Sequence, residues 1–105
     1  MLVQVNTDNN INGTEAMIKF VQAEVEAELA RFDDQLTRVE VHFSDLNSKH
    51  KNGEKDLQCR LEARPSGTQP LSVSEQAESV DLALRGALDK LERKLESHFG
   101  RLANR

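Results

Sequence analysis

Residues 37–44 read Thr-Arg-Val-Glu-Val-His-Phe-Ser, and the reading of this stretch decides the fold. Val39, Val41 and Phe43 fall on one side, while Arg38, Glu40, His42 and Ser44 fall on the other. That two-residue period is the signature of a strand with one buried face. The segment Leu57, Cys59, Leu61 and Ala63 repeats the alternation against Gln58, Arg60, Glu62 and Arg64. The polar stretch between them, Leu46 to Lys55, ends near Asn52-Gly53 and reads as a hairpin connection. Pro65-Ser66-Gly67 makes the next turn. Leu71 and Val73 then begin a shorter strand with Ser72 and Ser74 outward.

The period changes on either side of these strands. Leu2 to Asn6 alternate as a short strand, and Thr7 to Asn10 with Asn12-Gly13 form a turn-rich exit. Thr14 is placed to cap a helix whose first turn holds Glu15. Met17, Val21, Val25, Leu29 and Phe32 share one stripe, joined by Ile18 and Phe20, which predicts a helix of about five turns. Asp33-Asp34 ends it. Ser79 caps a second helix, along which Val80, Leu84, Ala87, Leu88, Leu91, Leu95, Phe99 and Leu102 recur every three or four residues. Gly86 lies inside this helix, where Gly costs up to about 1 kcal/mol relative to Ala. A close approach of the backbone to the sheet or first helix would account for it. The element order is β-α-β-β-β-α. With one apolar face per strand and two amphipathic helices, the expected α+β fold is a four-stranded sheet with both helices on one face. Residues 1–105 form a single domain.

The chain of 105 residues is long enough for a core without staples. Cys59 is its one cysteine, so a disulfide framework is excluded and a reducing compartment is the simplest setting. The opening residues lack a signal-peptide pattern, and no apolar run approaches a membrane span. The expectation is a cytoplasmic protein with no membrane partner. The net charge of −4 is unevenly distributed. From Arg85 onward six Lys and Arg stand against three acids, whereas the preceding 84 residues hold eight bases and fifteen acids. A basic terminal helix on an acidic body is the pattern of a protein that meets a polyanion with one face.

Two stretches carry a resemblance beyond element order. One is Asn9-Asn10-Ile11, Thr14-Glu15-Ala16 and Phe20-Val21; the other is Ala83-Leu84, Gly86, Asp89-Lys90-Leu91, Arg93 and Leu95. With the β-α-β-β-β-α order, they make the chain resemble the short form of the hibernation-promoting and ribosome-associated inhibitor family, also described as sigma-54 modulation protein-like. The resemblance implies a translation modulator that binds the small ribosomal subunit through rRNA, in the decoding region, and not DNA. It implies a monomer lacking the dimerisation domain of longer relatives. The inner α-β-β-β-α order also looks like double-stranded RNA-binding domains, which read shape and backbone. The chain departs from the family at Glu24, Glu26 and Glu28, where lysines are usual, at Asp81, where an aromatic is common, and at Arg85, where an acid is common.

Lys90, Arg93, Lys94 and Arg101, with Arg85, are the candidate RNA-binding residues, since neighbours three and four apart share a helix surface. Alternatively, they form a solvated face with intrahelical ion pairs. Lys49 and Lys51 in the loop, and Arg60 and Arg64 on the open sheet face, are candidate secondary contacts; Glu40 and Glu62 among the latter suggest cross-strand ion pairs equally well. A second function class is a protein-interaction module that kept the fold, lost rRNA affinity and uses its acidic first helix toward a basic partner. Catalytic constellations are missing: the three histidines are far apart and none sits in a metal-ligand spacing. No enzyme activity, cofactor or metal is expected.

Overall fold

A computed structural model of the chain describes residues 1–9, 11–46 and 57–103. The hairpin connection with Lys49, Lys51 and Asn52-Gly53 lies outside the described residues. The elements follow the expected order: β1 (Leu2–Thr7), α1 (Glu15–Glu28), β2 (Leu36–Asp45), β3 (Leu57–Pro65), β4 (Leu71–Ala77) and α2 (Val80–Ala103). The strands form one mixed sheet in sequence order. β1 runs parallel to β2 with Val3 beside Val39, whereas β2–β3 and β3–β4 are antiparallel. The parallel pair requires α1 as a crossover, which returns the chain across one sheet face.

That face holds the core. Val3, Val39, Val41, Phe43, Cys59, Leu61 and Ala63 project from the sheet into one cluster with Val21, Val25 and Leu29 from the first helical region. Ala83, Leu84, Ala87, Leu88, Leu91 and Leu95 of α2 complete the cluster. No polar or charged residue is buried among the described residues. Both caps form as the sequence indicates: Met17 N donates to Thr14 Oγ1 at 3.1 Å, and Leu82 N to Ser79 Oγ at 3.2 Å. Burial pushes the Cys59 thiol up to about 12, so it stays protonated and behaves as a small apolar residue.

Two expectations need correction. α1 stops at Glu28, and the chain tightens into a 3-10 turn, Ala30–Gln35, before entering β2. Phe32 thus reaches the core from that turn and stacks on Phe99 of α2, ring centroids 5.7 Å apart. Phe20 is not on the buried stripe but 47% exposed, since it lies about 100° round the helix from Val21.

Each sheet edge is closed by a side chain from the helix beneath it. Asp8 N donates to the Phe43 carbonyl, so alternate residues of β1 bond to β2 and the Val3 carbonyl faces outward. Gln22 Nε2 of α1 donates to it at 3.3 Å. At the other edge, Lys94 Nζ donates to the Ser72 carbonyl at 3.1 Å and Lys90 Nζ to the Ser74 carbonyl at 2.8 Å. Lysines are a common means of blunting an exposed edge strand.

Gly86 makes room for this arrangement. A Cβ there would meet Glu75 Cγ at 2.5 Å, because the Glu75 side chain lies across the helix to reach Lys90 Nζ at 2.7 Å. The close approach is made by a β4 side chain rather than by the sheet backbone.

Leu91 and Val41 are fully buried, so truncation to Ala should cost about 2–4 kcal/mol for Leu91 and less for Val41, read by urea denaturation. Gly86→Ala should give no gain in the wild-type background, where Glu75 must move aside. In a Glu75→Ala background the same change should stabilise by up to about 1 kcal/mol, the helix-propensity difference. Equal effects in both backgrounds would show that Glu75 is not the constraint.

Candidate nucleic-acid interface

Seating the Leu84–Leu95 stripe on the sheet fixes the direction of every other side chain on α2, because successive residues turn by about 100°. Lys90, Lys94 and Arg101 fall within one narrow arc on the flank toward the β4 edge. Arg93 lies further round, on the back of the helix. Arg85 falls on the opposite flank, toward α1. The sequence-level ridge is therefore split. Three of its cations share a flank, and two do not join them.

The flank toward β4 is positive. Lys90 is compensated by Glu75, whereas the Lys94 ammonium donates to a neutral carbonyl and has no carboxylate partner among the described residues. Arg101 likewise donates to a neutral group, Ser97 Oγ, at 2.7 Å. His98, one turn after Lys94, lies 3.4 Å from Thr68 Oγ1 in the turn between β3 and β4. Arg93 is paired with Asp89 and Arg85 with Asp81, the latter at 3.4 Å. Lys90 thus does not simply point to solvent: both its contacts are to β4.

The flank toward α1 is acidic. A shallow cleft of about 400 Å³ between the helices is lined by Glu24, Glu28, Arg85, Leu88, Asp89 and Glu92. Arg31 closes one end, with Glu96 Oε1 at 2.8 Å and Glu92 Oε2 at 3.8 Å, and its guanidinium lies 4.5 Å from the centre of the Phe32 ring. Partial burial raises the Glu92 pKa, and the hydrogen bond that its protonated form donates to Glu28, with the charge of Glu28, raises it further; Arg31 opposes these effects and Asp89 adds to them. The spacing of α1 glutamates alone could not reveal this cleft, which needs both helices.

On the open sheet face, Arg64 lies 3.0 Å from Glu62 and 3.8 Å from Glu40, and Arg38 and His42 also pair with Glu40. Of the Arg64 pairs only that with Glu40 crosses between strands, since Glu62 lies on β3 itself. Arg60 is exposed and has no ion pair among the described residues. Arg60 and Arg64 are on the sheet side facing away from α2, so one flat surface cannot engage them together with Lys94 and Arg101. Among the described residues no group of His, Cys, Asp and Glu could hold a metal ion, and no helix is long and apolar enough to cross a membrane.

Protonation of Glu92 favours the folded state, because its folded pKa exceeds the ordinary value of 4.5. Its stabilising contribution is complete below about pH 4.5 and is lost as pH rises through the raised value. Glu92→Gln should therefore gain stability relative to wild type between pH 4 and pH 7 in urea titrations. A constant difference across that range would contradict the assignment.

Solved structures carry the same fold. The N-terminal domain of Thermus thermophilus Protein Y matches with a TM-score of 0.71 at 20% identity, over 93% of this chain and 99% of that one. A ribosomal subunit interface protein from Coxiella burnetii matches with a TM-score of 0.70 at 13% identity, over 95% of this chain and 99% of that one. Among curated proteins the sequence finds no significant match. The family model described as sigma 54 modulation protein / S30EA ribosomal protein matches residues 3–103, and the chain belongs to that family.

Proposed function

We propose that this protein is a non-catalytic, ribosome-associated translation modulator of the hibernation-factor type, binding the small ribosomal subunit through rRNA phosphates. Family membership supports association with the ribosome. The observation that carries the phosphate contact is the one-sided charge of α2: Lys94 and Arg101 are cations on one flank that no carboxylate among the described residues neutralises. Lys90 joins them at a cost, since contact with phosphate competes with Glu75 and the Ser74 carbonyl. Arg85 and Arg93, already paired within the helix, contribute less.

Charge sets the salt dependence. Each neutralised phosphate releases condensed counterions, so three contacts give a log–log slope of roughly −2 to −3. Co-sedimentation of the protein with small ribosomal subunits at low and moderate salt measures it. Lys94→Ala with Arg101→Ala should flatten the slope by about 1.5 units and leave the fold intact. Wild-type protein that stays off small subunits even at low salt would end this reading.

The acidic cleft between α1 and α2 favours a second reading, a protein-interaction module whose partner is basic. The two readings differ in the effect of reversing Glu24 and Glu28 to Lys. On the ribosomal reading, in which the β4 flank of α2 makes the contact, that change leaves salt-sensitive subunit binding in place. On the other it abolishes binding to the basic partner and leaves subunit binding absent throughout.

A further inference from the structure

We propose that the free edge of β4 is a self-pairing surface for a second copy of this chain, held closed in the monomer by Lys90 and Lys94. β4 pairs with β3 on one side, and among the described residues no strand covers its other side. The Ser72 and Ser74 carbonyls that accept from the two lysines face this open side. By the alternation of the strand, the Ser72 and Ser74 amides face it as well. An unpaired row of this kind is a template for strand addition.

The residues around the edge suit a copy of themselves. In an antiparallel β4–β4 pair centred on Val73, Ser72 of one copy lies opposite Ser74 of the other. Those two residues exchange both backbone hydrogen bonds, and the two Val73 side chains meet across the axis. The side chains on the open sheet face at this point are serine hydroxyls, which are small and uncharged. The pairing is isologous and closes as a dimer, whereas β4 against the β1 edge would be heterologous and build an open chain.

The lysines prevent this pairing in two ways. Their ammonium groups occupy the carbonyls that a partner strand would use, and the side chains reach the edge from α2 beneath it. Pairing two copies would also gather both ammonium groups of each into one seam, where like charges repel. Glu75 holds Lys90 in place at 2.7 Å. The inference does not depend on ribosome binding, since it concerns the protein alone.

The test is the mass of the full chain in solution over a range of concentrations, by sedimentation velocity. Wild type should stay monomeric where Lys90→Ala/Lys94→Ala doubles in mass. Adding Ser74→Pro to that variant should restore the monomer, because proline removes an outward amide without touching the β3 ladder. Lys90→Arg/Lys94→Arg, which keeps both charges, should also be monomeric. If circular dichroism shows that the double alanine variant is not folded, Lys94→Ala alone is judged by the same criterion, since Lys94 lacks the Glu75 pair. A folded variant that remains monomeric throughout overturns the proposal, and so does a dimer that survives Ser74→Pro.

Discussion

The structure depends on the contact between one face of a twisted sheet and the leucine stripe of α2. Leu84, Leu88, Leu91 and Leu95 bury themselves against strand residues such as Leu61 and Ala63. This burial is non-directional in its energy, at about 25 cal/mol per Å² of apolar surface, but it has a directional consequence. Once the stripe is seated, the helix cannot rotate, and every polar residue on α2 is assigned a side. Lys94 must reach the β4 edge, and Glu92 must face α1. The charge distribution follows from the core.

The two flanks of α2 then behave differently although their sequences interleave. Toward β4, Lys94 meets a serine carbonyl and Arg101 a serine hydroxyl, with no carboxylate partner among the described residues, while Lys90 is paired with Glu75. Toward α1, carboxylates gather in a cleft with Arg31 and Arg85 as counterweights, and partial burial together with Glu28 raises the Glu92 pKa. An acidic protein can approach a polyanion only if its negative groups stay off the contact surface. The rotation of α2 achieves this on one flank. The acidic cleft beside α1 sets how far round the helix a nucleic acid could extend before repulsion begins.

Much of the fold was legible because its elements have clean periods. The alternation of residues 38–44 survives intact, and Thr14 and Ser79 cap the helices as their sequence positions indicate. Phe20 misled because composition alone does not distinguish the edge of a helical stripe from its centre. Phe32 was read onto α1 because a 3-10 turn continues nearly the same projection for a few residues. The site was less legible. A spacing of three and four groups Lys90, Arg93 and Lys94, but only the seated helix shows that Lys90 and Lys94 turn to the β4 edge while Arg93 does not. Hydrogen bonds to the Ser72 and Ser74 carbonyls leave no trace in sequence, since any residue supplies a carbonyl. Gly86 was recognisable as an anomaly, and its cause, a glutamate eleven positions earlier, needed the packing of β4 on α2.

On the proposed ribosomal reading, the β4 flank of α2, and not α1, faces the small ribosomal subunit. Lysine labelling with acetic anhydride, read by mass spectrometry with and without subunits, tests it directly. Lys94 should be protected on binding, while Lys19 on α1, paired with Glu15 at the surface, should label at the same rate in both states. Protection of Lys19 with unchanged labelling of Lys94 would place the contact on the wrong helix and contradict the account.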